Sequence, residues 1–180
     1  MNMNRLGLVL SVVVVSQVSV ATTARADDKA DVKAVYQKFC DTMKAKDANG
    51  LLKIGTNDFT MSEGKGTPTP AAKVAEGLKK QFAMFKTVDA CTAEVSDVKV
   101  KGKTATAKSK MHTVMTLVLG KDMPPAKIER FSDTTDTLVK TPEGWRFKTV
   151  VSSNVQMTLN GAKFDPKAMQ SGPLAGKKQP

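Results

Sequence analysis

The chain has 180 residues, with 28 lysines and arginines against 17 aspartates and glutamates, a net charge of +11, one histidine and two cysteines. That length builds one domain with a real core rather than two. One histidine and two distant cysteines exclude a cluster of such ligands around a metal, neither cysteine has the C-x-x-C spacing of a redox motif, and no cofactor is expected.

Residues 1–26 read as a secretory signal. Arg5 supplies the positive start, residues 6–15 the apolar run, and Ala24-Arg25-Ala26 the small-residue cleavage site. Ser16, Gln17 and Ser19 interrupt the apolar stretch before it is long enough to span a bilayer. No cysteine follows to be lipidated and no arginine pair precedes, which favours the general secretory route. Cleavage leaves 154 residues with 26 basic and 17 acidic side chains, a charge of +9, in a periplasmic or secreted protein. The lysines are scattered, as on a solvated surface; peripheral contact with an anionic envelope is the alternative. Export, and the lack of a zinc-finger or RNA-binding motif, argue against nucleic acid. In an oxidising destination Cys40 and Cys91 would pair, closing a loop of about 50 residues; two buried thiols are the other reading.

In the mature chain, Val32, Val35, Tyr36, Phe39, Cys40 and Met43 recur at helical spacing, leaving Lys33, Gln37, Lys44 and Lys46 to solvent. The pattern breaks at Asp47-Ala48-Asn49-Gly50 and resumes as a short helix with Leu51, Leu52 and Ile54. Residues 58–61 read as a short extended segment, and residues 62–70, rich in Gly, Pro and Thr, as a surface loop. Thr69 as N-cap and Pro70 at the first helical position open a third helix, with Ala71, Val74, Ala75, Leu78, Phe82 and Phe85 on one stripe. From Cys91 the period is two, through Ala93 and Val95, with a slip to Val98 and Val100 that predicts a bulge before Lys101-Gly102-Lys103. Residues 104–119 form a long strand, nearly all apolar from Val114, so its later half should be covered on both faces. After a loop over residues 120–125 comes a hairpin over residues 127–159, turning at Thr141-Pro142-Glu143-Gly144. Its second arm places Trp145, Phe147, Thr149, Val151, Ser153, Val155, Met157 and Leu159 on one face. Asn160-Gly161 turns the chain out of the sheet, and residues 165–180 read as a flexible tail.

Helices first and antiparallel strands after predict an α+β domain, its N-terminal helices packed on a curved antiparallel sheet. Four stretches in that order carry a family resemblance: the first helix ending in Lys46-Asp47-Ala48, the Leu51-Leu52 helix leading to Asn57-Asp58-Phe59, the helix from Ala71, and the hairpin closing with Gly144-Trp145-Arg146-Phe147. Together they resemble the nuclear transport factor 2-like superfamily, which includes ketosteroid isomerase and polyketide cyclases, from about residue 31 to residue 159. The resemblance implies a cone with an internal pocket, over residues 27–164 of this chain, and often a homodimer through the outer sheet face.

Enzymes of this superfamily do acid–base work with pocket side chains, which needs a titratable group held dry. Where family members often carry an inward His on the strand after Trp145, this chain has Thr149 and Val151. The remaining catalytic candidates are Asp133, Asp136, Asp58 and His112. Asp133 and Asp136 have opposite parity, so only one can face inward. A three-residue turn of Pro142, Glu143 and Gly144 puts Asp133 on the Trp145 face together with Phe131 and Val139, and is the register expected; a four-residue connection brings Asp136 and Arg130 there instead. Tyr36, Phe39, Phe59, Phe82, Trp145, Phe147, Thr149 and Val151 are the expected pocket wall, which in a cone is also the core. The reading is an exported, noncatalytic domain for a hydrophobic or anionic small molecule. An isomerase, cyclase or hydratase using a pocket aspartate as base is one alternative, and an envelope-associated structural protein another.

Overall fold

The computed structural model of the protein describes residues 26–118 and 124–164. The secretory signal, apart from its last residue, and the C-terminal tail expected from the sequence lie outside the described residues. Helix α1 spans Ala26–Lys44 and α2 spans Ala48–Ile54. Strand β1 (Gly55–Glu63) pairs with a two-residue β2 (Thr69–Pro70), α3 follows over Ala71–Met84, and then come β3 (Phe85–Lys101), β4 (Thr104–Leu117), β5 (Ala126–Thr141), β6 (Gly144–Leu159) and the short β7 (Ala162–Lys163). The sheet order is β2-β1-β6-β5-β4-β3, with β7 on β6. Neighbours are antiparallel except β1 and β6, which run parallel. Helices therefore gather at the N-terminus against a curved, unclosed sheet, the α+β architecture predicted from element order.

Several boundaries moved for local reasons. The break expected at Asp47-Ala48-Asn49-Gly50 is a helix start, since the Asp47 carboxylate accepts the backbone N–H of Asn49 (3.1 Å) and Gly50 (2.9 Å). Asp47→Ala should therefore cost about 1 kcal/mol, read as a shift of the urea midpoint with unchanged slope. The expected loop over residues 62–70 is shortened to residues 64–68 by strand at both ends, and because Thr69 and Pro70 pair with Met61 and Thr60, α3 starts one residue late, at Ala71, without a side-chain cap. The slip between Val95 and Val98 is a bulge: the register shifts between Ser96 and Lys99, and Asp97 has φ +51°.

The inner face carries two apolar clusters. One joins Val32, Tyr36 and Cys40 of α1 to Phe59, Met111, Leu138, Trp145 and Phe147; the other joins Ala48 and Phe82 to Val88, Met115, Leu117 and Ile128, and Met43 touches both. A Cys40–Cys91 disulfide fastens α1 to β3, with its Cα atoms 5.1 Å apart. At the far end, Asp28 of α1 accepts a hydrogen bond from Trp145 Nε1 (3.3 Å) and pairs with Lys140, whose ammonium sits 5.8 Å from the indole centroid. Helix α1 is thus tied to the edge strand β3 through Cys40 and, near its N-terminus, to the turn end of the β5–β6 hairpin.

The hairpin corrects the expected register. Thr141 pairs with Gly144 and Lys140 with Trp145, so Pro142 and Glu143 alone make the turn, with Gly144 at φ +110°. Asp136 turns inward in place of Asp133, and Phe131 is left 40% exposed on the outer face. The second arm does not alternate evenly either. Leu138 pairs with Phe147 but Thr137 with Thr149, so Lys148 is the extra residue and the parity flips beyond it, until a second shift between the Asp133–Ser153 and Phe131–Gln156 pairs restores it and sets Met157 beside Arg130. Val150 and Ser152 face in, opposite Asp136 and Thr134; Thr149 and Val151, expected in the pocket wall, point outward with Thr137 and Thr135.

Candidate functional site

Of the residues expected in the pocket wall, Tyr36, Phe39, Phe59 and Phe147 come together in one aromatic cluster. The Phe147 ring meets Tyr36 edge-on at 5.0 Å between centroids and lies 6.4 Å from Phe39 and 6.5 Å from Phe59, with Trp145 in the same cluster. Phe82 lies apart, in the second cluster.

The four acid–base candidates are scattered. Asp58 is exposed, accepts a hydrogen bond from Thr56 Oγ1 at 2.7 Å and lies 3.3 Å from Lys148 Nζ; the Thr56 bond first, then Lys148, holds its carboxyl below the usual range. Asp133 takes a 2.7 Å hydrogen bond from Asn154 Nδ2 and pairs with Lys110 and Ser153 on the outer face. His112 also sits on that face, stacked on Phe131 at 4.2 Å and 3°, with Nε2 3.9 Å from Glu129.

Only Asp136, among these four, reaches the inner face, where it is 1% exposed. Tyr36 Oη donates to its Oδ2 at 2.6 Å, Thr134 Oγ1 donates to the same oxygen, and Ser109 Oγ lies 2.8 Å from Thr134 Oγ1. Its other oxygen, Oδ1, is buried without a partner. Burial pushes the carboxyl up to about 6, against the opposing pull of the Thr134 and Tyr36 hydrogen bonds. Burial first, and the adjacent Asp136 charge second, raise the Tyr36 phenol above its ordinary value, so it stays a donor. A carboxyl titrating near neutrality beside a neutral phenol has the properties of a general base with a hydrogen-bond donor, but here each is engaged with the other.

Sequence reasoning did not single out the buried hydroxyls of the inner face, and brought Arg130 inward only in the register it did not favour. Thr113, Ser132 and Ser152 are buried there, and Arg130 is half-buried between the two apolar clusters, paired with Thr113 on one side and Met157 on the other. Arg130 Nη1 donates to Ser132 Oγ at 2.9 Å. Burial pulls its guanidinium below the ordinary value, while the negative charge of Glu63 acts in the opposite sense. No carboxylate among the described residues lies within ion-pair distance of it. The signal was parity: with Asp136 inward, every even residue from Ala126 to Leu138 follows it. A separate open groove of about 200 Å³ lies between α1 and β3, lined by Lys33, Tyr36, Gln37, Cys40, Ala93 and Val95. Among the described residues no three His, Cys, Asp or Glu side chains are placed to hold a metal ion.

Helices laid over the concave side of an open sheet, with aromatic and hydroxyl side chains between the layers, define a cone of the nuclear transport factor 2-like superfamily. The SnoaL-like domain model matches residues 24–151, and the chain belongs to that family. Among solved structures it is similar to a conserved protein from Planctomyces limnophilus, at 12% identity and a TM-score of 0.63 over 75% of this chain and 99% of that one. It is also similar to a ketosteroid isomerase-like protein from Erwinia carotovora atroseptica (16%, TM-score 0.54, 78% and 99%) and to a provisionally named scytalone dehydratase from Novosphingobium aromaticivorans (15%, TM-score 0.59, 73% and 87%). At these identities the likeness shows the fold. No curated protein matches the sequence.

Proposed function

We propose that the mature chain is exported and binds a small apolar or acidic molecule on the concave face of its cone without transforming it. The observation that carries this reading is the contrast on that face: Arg130 and buried hydroxyls stand between two apolar clusters, while the one inward acid of the four candidates, Asp136, is sealed and already hydrogen-bonded. A general base must come within hydrogen-bond reach of the proton it removes, and Asp133, His112 and Asp58 lie on outward or exposed positions. Export is supported by the Cys40–Cys91 bridge, which persists where the surroundings are oxidising.

The test is thermal melting of the mature protein with a panel of neutral and anionic small molecules, followed by mass analysis of the recovered compounds. A ligand held only by the folded state at a hundred times its dissociation constant stabilises by about 2.7 kcal/mol, so the expected result is a raised melting temperature and an unchanged compound. No shift across the panel overturns the reading. A second reading, proton abstraction from a carbon acid, is favoured by one observation: Asp136 titrates near 6 with Oδ1 unpartnered. Turnover that disappears in Asp136→Asn would establish it.

A further inference from the structure

We infer that Arg130 receives the carboxylate of a small monoacid whose apolar body lies along the inner sheet; this rests on the ligand-binding reading above. The guanidinium carries five N–H donors, and Ser132 Oγ takes one of them. A half-buried cation with one neutral partner keeps most of its hydrogen-bonding capacity unspent in a place where water competes poorly, and its planar fork matches a carboxylate with two parallel bonds. Hydroxyl groups lie to one side of it. Ser132 is two residues along the same strand, Thr113 is its register partner on β4, and Ser152 stands further along the same face, opposite Thr134; all three are buried. The hydroxyls of Thr113 and Ser152 take no part in the hydrogen bonds among the described residues, so the acid group would meet donors beyond the guanidinium.

Charge selects the kind of anion. Glu63 is close enough to act on Arg130 electrostatically without forming an ion pair, so one positive charge is partly offset already. A singly charged carboxylate suits that balance better than a phosphate dianion. On either side of this polar band the inner-face side chains are apolar, with Met111 and the aromatic cluster buried in one direction and Met115 and Ile128, with the half-buried Met157, in the other. An acid with an aliphatic or aromatic body fits that sequence of surfaces, since the flexible methionines adapt to its shape.

The experiment compares benzoate with benzamide, hexanoate with hexanol, and inorganic phosphate, by calorimetry and by melting of the mature protein. The acids should bind roughly 10- to 100-fold more tightly than their neutral counterparts, the range of a charge-assisted hydrogen bond, and phosphate more weakly than either acid. Arg130→Met, which keeps the apolar stem, should erase the preference for acids, and Arg130→Lys should retain part of it. Equal binding of acid and neutral forms by the native protein, or an unchanged preference in Arg130→Met, overturns the inference and leaves ligand binding by the cone intact. Binding of none of these compounds overturns both. Should Arg130→Met fail to fold, the comparison of benzoate with benzamide on the native protein decides alone.

Discussion

Replacing Cys40 and Cys91 together by alanine should lower the unfolding free energy by about 4 kcal/mol, the chain-entropy value for this loop. The two positions are 51 residues apart, and the loop they close contains α2, β1, β2 and α3. Without the bridge the unfolded chain regains the freedom of that whole segment, while the folded chain keeps its contacts, because Cys40 and Cys91 are both buried in the first apolar cluster. At this chain length the melting temperature should fall on the order of 10 °C. Urea unfolding of the double variant is the measurement. A midpoint within experimental error of the native one would show that α1 is held on β3 by packing alone.

The second large effect is a dependence of stability on pH with a sign opposite to that of most carboxylates. Asp136 has its folded pKa raised from 3.8 to about 6, so the folded state binds its proton more tightly than the unfolded state does. Stability from this group is therefore complete below pH 3.8 and is lost as the pH rises through about 6, a total of about 3 kcal/mol. What faces the carboxyl explains the direction. Tyr36 comes from α1, Thr134 from its own strand, and Ala107 and Val150 from the flanking strands, so no cation among the described residues pairs with the charge. Asp89, Asp97 and Glu76, which are exposed, and the half-buried Glu129, all held below their usual range by hydroxyl or lysine partners, slope the other way. The informative quantity is thus the difference between the native protein and Asp136→Asn. Urea unfolding from pH 4 to 8 should show the native chain losing about 2 kcal/mol of that total relative to the variant, and parallel profiles would rule out a buried, titrating Asp136.

The helices, the order of elements and the β3 bulge were legible because each rests on periodicity within a few residues. The 3.6-residue stripe from Val32 to Met43 and the broken alternation at Val95 and Val98 depend on no distant partner. The site was harder to read because it depends on counting residues through turns and bulges. One residue in the Thr141–Gly144 connection exchanged Asp133 for Asp136, and one extra residue at Lys148 exchanged Thr149 and Val151 for Val150 and Ser152. Periodicity names the two faces of a strand; only the register says which of them is inside. Aromatic residues were less affected, since Tyr36, Phe39 and Phe59 precede both irregularities.

The parallel pairing of β1 with β6 bears on how the molecule assembles. Gly55 lines up with Phe147 and Glu63 with Ser152, about ninety residues away, and before β6 exists the only sheet neighbour of β1 among the described residues is the two-residue β2. A chain emerging from its N-terminus therefore waits for β6 before its first strand can join the larger sheet, and closing so large a loop is slow. Until then the aromatic side chains of α1 and β1 lack the Trp145 and Phe147 rings they pack against, so the nascent domain stays open, and at its most vulnerable to aggregation, until β6 has been made.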